Sequence, residues 1–135
     1  MFTGVTRSMI GIGAWVAPDV TTRIFGIEPA NSDRFVARLY GARELTLGLA
    51  LLTASPSALT TVASVGAAVD AADVVSGLDE FRRGNLSTQA TVLGLGGALL
   101  FTALGVIIAR EAAAPADQEK QPDRAREAPT GVEPV

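Results

Sequence analysis

The sequence predicts an all-α membrane protein: a four-transmembrane-helix antiparallel bundle over residues 1–110, followed by a disordered polar tail over residues 111–135. Three observations predict it. Four apolar segments, each bounded by proline, serine or glycine, fill most of the first 110 residues. Aromatic residues make up only 5% of the chain, and the apolar class is Ala, Leu, Val and Gly. Small residues let helices approach closely in lipid, whereas a soluble core relies on large aromatic anchors. Finally, nothing after Arg110 repeats with an apolar period; Ala, Pro, Glu, Asp, Gln, Lys and Arg there cannot bury enough surface to order a chain.

Taken in order, the spans fall at residues 2–17, 35–54, 57–78 and 88–109. The first ends at Pro18-Asp19; it is short and carries Arg7. Arg7 ahead of a short apolar run resembles a signal peptide, but Trp15 would occupy a cleavage position that demands a small residue. The second span closes at Ser55-Pro56, where serine can cap and proline can start the next helix. The two- or three-residue connection there forces an antiparallel hairpin. The fourth span follows Gly84-Asn85-Leu86-Ser87, with Ser87 as its expected cap. It holds no charge from Thr88 to Ala109 and is apolar on every side, which sets it apart from a helix of a soluble bundle. About 20 residues cross a hydrocarbon core of about 30 Å, and spans two to four are long enough. Between spans one and two, Arg23 to Pro29 suits a short amphipathic piece at the interface.

Composition narrows the function. The chain has no cysteine and no histidine, so disulfides, zinc–thiolate sites, iron–sulfur clusters and histidine-based triads are excluded. We expect no metal, no cofactor and no catalytic residue. A net charge of −3 argues against nucleic acid as a partner. The expected partners are the lipid bilayer and either a second membrane protein or a second copy. Lys120 is the one lysine among eleven basic residues, a coding bias that suggests a bacterial plasma membrane. Basic residues divide almost evenly between the two sides; we place the termini in the cytoplasm.

The chemistry lies in charges buried within these spans. An ionised side chain costs about 3 kcal/mol at the membrane centre by insertion scales, so those that persist are paired or functional. The candidates are Arg38, Arg43 and Glu44 in span two and Asp70 and Asp73 in span three. At 1.5 Å per residue, Arg38 lies about 5 Å and Arg43 about 13 Å below the face where span two enters. Asp73 and Asp70 lie about 6 Å and 10 Å from that same face. Matching depths point to the pairs Arg38–Asp73 and Arg43–Asp70, with Glu44 as the surplus acid. Arg7, counted from the opposite face, falls outside the cluster. Gly41, Glu44 and Gly48 share one stripe of span two, while Arg43 points away with Tyr40. Such a cluster can be a clasp that fixes helix register, a binding site for a small lipid-soluble or proton-coupled ligand, or an intramembrane acid pair.

The run Arg38-Leu-Tyr-Gly41-Ala-Arg43-Glu44-Leu-Thr-Leu-Gly48 resembles the signature of an uncharacterised family of small four-helix integral membrane proteins. Gly41, Arg43, Glu44, Gly48 and Asp70 carry the match, with Pro18 and Phe25-Gly26 similar in the first loop. More loosely, the layout is similar to DoxX-like membrane proteins. The resemblance spans about residues 4–109 and implies architecture without an activity. The expected function is a non-enzymatic structural or accessory membrane component; the alternative is a small-ligand binder or carrier.

Overall fold

The computed structural model describes residues 1–27 and 31–114, with side chains of the second stretch from residue 34 onward. All regular structure among the described residues is helical. Five helices follow in order: α1 (Phe2–Val16), α2 (Pro18–Ile24), α3 (Asn31–Thr53), α4 (Pro56–Arg82) and α5 (Thr88–Ala113). Helix α5 continues three residues beyond Arg110; residues 115–135, which hold most of the tail expected to be disordered, lie outside the described residues.

Small residues decide which helices pair. Thr3, Gly4, Arg7, Gly11 and Ala14 form the buried stripe of α1. Ala37, Gly41, Glu44 and Gly48 form that of α3. The two stripes meet at backbone distance: a Cβ added to Gly11 would lie 2.6 Å from the Gly41 carbonyl oxygen, and one added to Gly48 would lie 2.7 Å from that of Gly4. Only glycine allows this approach. Helix α4 lies along α5 in the same manner, with Gly105 of α5 against Ala67 and Ala63. The molecule is therefore two close helix pairs, joined by the tight turn at Ala54-Ser55, with looser contact between α3 and α4. Ser55 occupies the N-cap position of α4, but its hydroxyl meets Ser57 Oγ at 3.0 Å and caps nothing. Ser87 does cap α5, accepting from the Ala90 N–H at 3.1 Å.

Helix α2 shares only Arg23 and Ile24 with the amphipathic piece expected from Arg23 to Pro29, whose last two residues lie outside the described residues. Pro18 starts it, Asp19 sits at its positive end and Arg23 at its negative end, each favourable to the helix dipole. It folds over one end of the bundle. Gly26 turns the chain there with φ +73°, the left-handed region, and the Gln89 amide donates to the Ile24 carbonyl at 2.7 Å.

Two helices are long and apolar enough to cross a membrane, α4 and α5, with mean hydropathies of 1.4 and 2.3 over their most apolar windows. Only 6% of the α5 window is buried within the molecule, and Val92, Leu99, Leu100 and Ile107 face outward. Helix α1 has 15 residues, about 22 Å of rise. Helix α3 carries Arg34, Arg38, Arg43 and Glu44.

Candidate functional site

The charged residues meet where the two helix pairs face each other. Glu44 projects from the glycine stripe of α3 and Asp70 from the buried stripe Ala63, Gly66, Ala67 of α4. Between them, Arg7 reaches in from α1. Its Nη1 donates to Glu44 Oε2 at 2.7 Å, and its Nη2 donates to Asp70 Oδ2. All three residues are at most 2% exposed, and the guanidinium lies 4.3 Å from the Phe101 ring centroid of α5. One buried cation thus ties four helices together. Hydrogen bonds between ionised groups are the strong ones, and at this degree of burial they are little screened.

A second, more open pair adjoins the first. Arg43 donates from Nη1 to Asp73 Oδ1 at 2.8 Å and pairs with Asp73 Oδ2 through Nη2 at 2.6 Å. The same Nη2 reaches Glu44 Oε1 at 3.0 Å. The Arg43 side chain is 30% exposed and that of Asp73 is 36% exposed. Arg43 also lies over the Tyr40 ring at 4.9 Å, and Tyr40 meets Phe25 edge-on.

The open side of this network is the wall of a cavity of about 600 Å³ between the pairs. Arg43, Glu44, Asp70 and Asp73 supply its charged wall; Ile10, Val36, Leu93 and Phe101 are among the apolar residues opposite. A volume of 300–1,000 Å³, apolar with a few convergent polar groups, is the usual form of a small-molecule site. The α2 turn closes one end, and a short π-helical stretch of α5, Thr91–Leu95, borders the cavity. Local π-helix often marks a functional position.

Four of the five expected residues, Arg43, Glu44, Asp70 and Asp73, are together; Arg38 is not. Arg38 lies on an exposed part of α3 with its guanidinium 5.8 Å from the Trp15 ring centroid. The pairing differs accordingly: Arg43 takes Asp73, and Asp70 takes Arg7. Depth counting misplaced Arg7 because it assumed that every helix enters at one common plane. Helix register is set instead by the glycines, which put Gly4 against Gly48 and Gly11 against Gly41, so Arg7 stands level with Glu44. The sequence does carry that signal. Gly4-Arg7-Gly11 and Gly41-Glu44-Gly48 have identical spacing, one with a cation and the other with an anion in the same place. Nor is Glu44 the surplus acid, since it bridges both arginines with its two oxygens. Among the described residues no three acidic side chains are placed so that they could hold a metal ion together.

Fold and site together define a class: an all-helical protein with two helices fit to cross a membrane and an ionic network beside an apolar cavity. The chain belongs to a family described as a domain of unknown function, DUF4267, whose profile matches residues 4–108. That match covers all five helices but for the ends of α1 and α5. No curated protein and no solved structure matches the chain.

Proposed function

We propose that this is a four-span integral membrane protein of the bacterial plasma membrane that binds one small, largely apolar ligand between its two helix pairs. The observation that carries the reading is the division of the charge network. Arg7, Glu44 and Asp70 are almost fully buried and act as a clasp, with Glu44 and Asp70 forming part of the cavity wall. Arg43 and Asp73 remain open to a cavity whose other walls are apolar. A clasp alone would need no cavity beside it, and buried ionisable groups facing a cavity in a membrane protein are by default functional. The membrane reading rests on the outward apolar face of α5 and on the burial of Arg7 and Glu44 within the α1–α3 pair.

Gly97 tests the site. It lines the cavity, and a Cβ built on it meets nothing within 4 Å, so the side chain of Gly97→Phe starts in open space and is expected to occupy the cavity. Native mass spectrometry of the chain from mild detergent is expected to find a one-to-one small-molecule adduct that Gly97→Phe lacks. The same adduct on both proteins, or none on either, refutes the reading. The absence of cysteine makes topology simple to read. Single cysteines at Val20 and Asn85 should react with an impermeant maleimide from one side of the membrane, and one at Ser57 from the other.

A second reading, an accessory component of a larger assembly, draws on the exposed Val92, Leu99, Leu100 and Ile107 of α5. It requires the chain to migrate in mild detergent as a stable complex with a second polypeptide.

A further inference from the structure

The network is not balanced, and the imbalance is located on one atom. Two arginines, Arg7 and Arg43, face three carboxylates, Glu44, Asp70 and Asp73. Glu44 uses both oxygens, one for each arginine, and Asp73 uses both oxygens on Arg43. Asp70 uses one. Its Oδ2 accepts from Arg7, while Oδ1 accepts from no described residue. Asp70 is 2% exposed, yet this oxygen is not among the sealed unpartnered atoms, which are Arg7 Nε and Arg43 Nε. Asp70 lines the cavity, and Oδ1 is the carboxylate oxygen left free to meet an occupant.

From this geometry we propose that the ligand is a lipophilic amine, whose ammonium group donates to Asp70 Oδ1 and whose apolar body fills the cavity. The inference rests on the cavity being a binding site and names the class of occupant. The groups that face Asp70 are Arg7 from α1, Arg43 and Glu44 from α3, Asp73 from its own helix and the Phe101 ring from α5. Their charges sum with that of Asp70 to one net negative charge. An uncompensated charge in a low-dielectric site is costly, and a cation placed on the unengaged oxygen removes it. An anion would meet three carboxylates. A neutral donor would satisfy the hydrogen bond and leave the charge.

Adamantane derivatives separate these possibilities because the apolar cage is constant. Equilibrium dialysis of 1-aminoadamantane, 1-hydroxyadamantane and adamantane-1-carboxylate is carried out against the purified full chain in dodecyl maltoside, with empty micelles subtracted. The amine is expected to saturate at one per chain and to bind about a hundredfold more tightly than the alcohol, the upper contribution of a hydrogen bond between charged groups. The carboxylate is expected not to saturate. Asp70→Asn keeps an oxygen for Arg7 and leaves two cations against two anions, so it should bring the amine down to the affinity of the alcohol. Equal binding of amine and alcohol by the unmodified chain, or tighter binding of the carboxylate, overturns the amine proposal and leaves the cavity a site. Failure of all three probes overturns the site and the proposal together. Should Asp70→Asn not fold, the order of the three probes on the unmodified chain still decides.

Discussion

Replacing Arg7 with methionine keeps an unbranched, flexible apolar stem and removes the one cation that Glu44 and Asp70 share in the buried half of the network. Arg7 makes two charge-assisted hydrogen bonds, to Glu44 at 2.7 Å and to Asp70, with every partner at most 2% exposed. Bonds to charged groups contribute about 1.5–3 kcal/mol each, so the pair is worth about 3–6 kcal/mol. Removal of one partner from a buried ion pair costs about 3–5 kcal/mol. The lower end applies where separated helices in a micelle find other polar partners. A loss of about 3 kcal/mol changes the unfolding equilibrium about a hundredfold. Titration with sodium dodecyl sulfate from dodecyl maltoside, followed by far-ultraviolet circular dichroism, measures it. The exposed pair Arg83–Asp79 provides the contrast, with side chains 63% and 57% exposed; Arg83→Met should shift stability by less than about 0.5 kcal/mol. The triple variant Arg7→Met, Glu44→Gln, Asp70→Asn should recover most of the loss, because no unpaired charge remains buried. An Arg7→Met protein as stable as the parent refutes the clasp. So does a triple variant no more stable than the single one.

The glycine interface makes a paired prediction. Gly48→Ala puts a methyl group 2.5 Å from Ser8 Oγ and should cost about 1–3 kcal/mol in the same titration, while Gly13→Ala, which meets nothing within 4 Å, should gain about 0.5–1 kcal/mol from helix propensity. Gly26→Ala should cost about 1–2 kcal/mol for a left-handed φ of +73°, and its methyl group would also press on Ser87; hydrogen exchange should show the loss concentrated around α2. Ser87→Ala removes the side-chain cap of α5 and should cost about 1 kcal/mol, read as faster exchange of the Ala90 amide.

Much of this arrangement is legible in the sequence. The proline and serine punctuation at Pro18, Ser55-Pro56 and Ser87 bounds the helices because proline lacks the donor and serine competes with the helix backbone. The stripe Gly41, Glu44, Gly48 is buried as a unit because three- and four-residue spacing keeps it on one face. Its neighbour Arg43 did not follow from that stripe, and the structure turns it to α4, where Asp73 meets it. What sequence spacing could not supply is the axial offset between helices. The misassigned Arg38–Asp73 and Arg43–Asp70 pairs, and the exclusion of Arg7, share this one cause. Offset is a property of contact between two surfaces, here glycine against glycine, and a one-turn slip moves a side chain by 5.4 Å. The cavity was illegible for a related reason: it is the space left where two pairs fail to close on each other.

The contrast between tight packing inside each pair and sparse contact across them has a mechanical consequence. Glycine-mediated backbone contact makes α1 with α3, and α4 with α5, behave as two stiff plates, since close-packed interiors resist deformation. Compliance is left to the seam, where a short turn at Ala54-Ser55 acts as the hinge and the arginine–carboxylate network as the latch. At the far end of the seam, the α2 turn is held to α5 by two exposed hydrogen bonds, Gln89 to Ile24 and Ser87 to Gly26. The softest motion of this molecule is therefore plate against plate about that hinge. Opening at the α2 end would break two single hydrogen bonds and leave the latch intact.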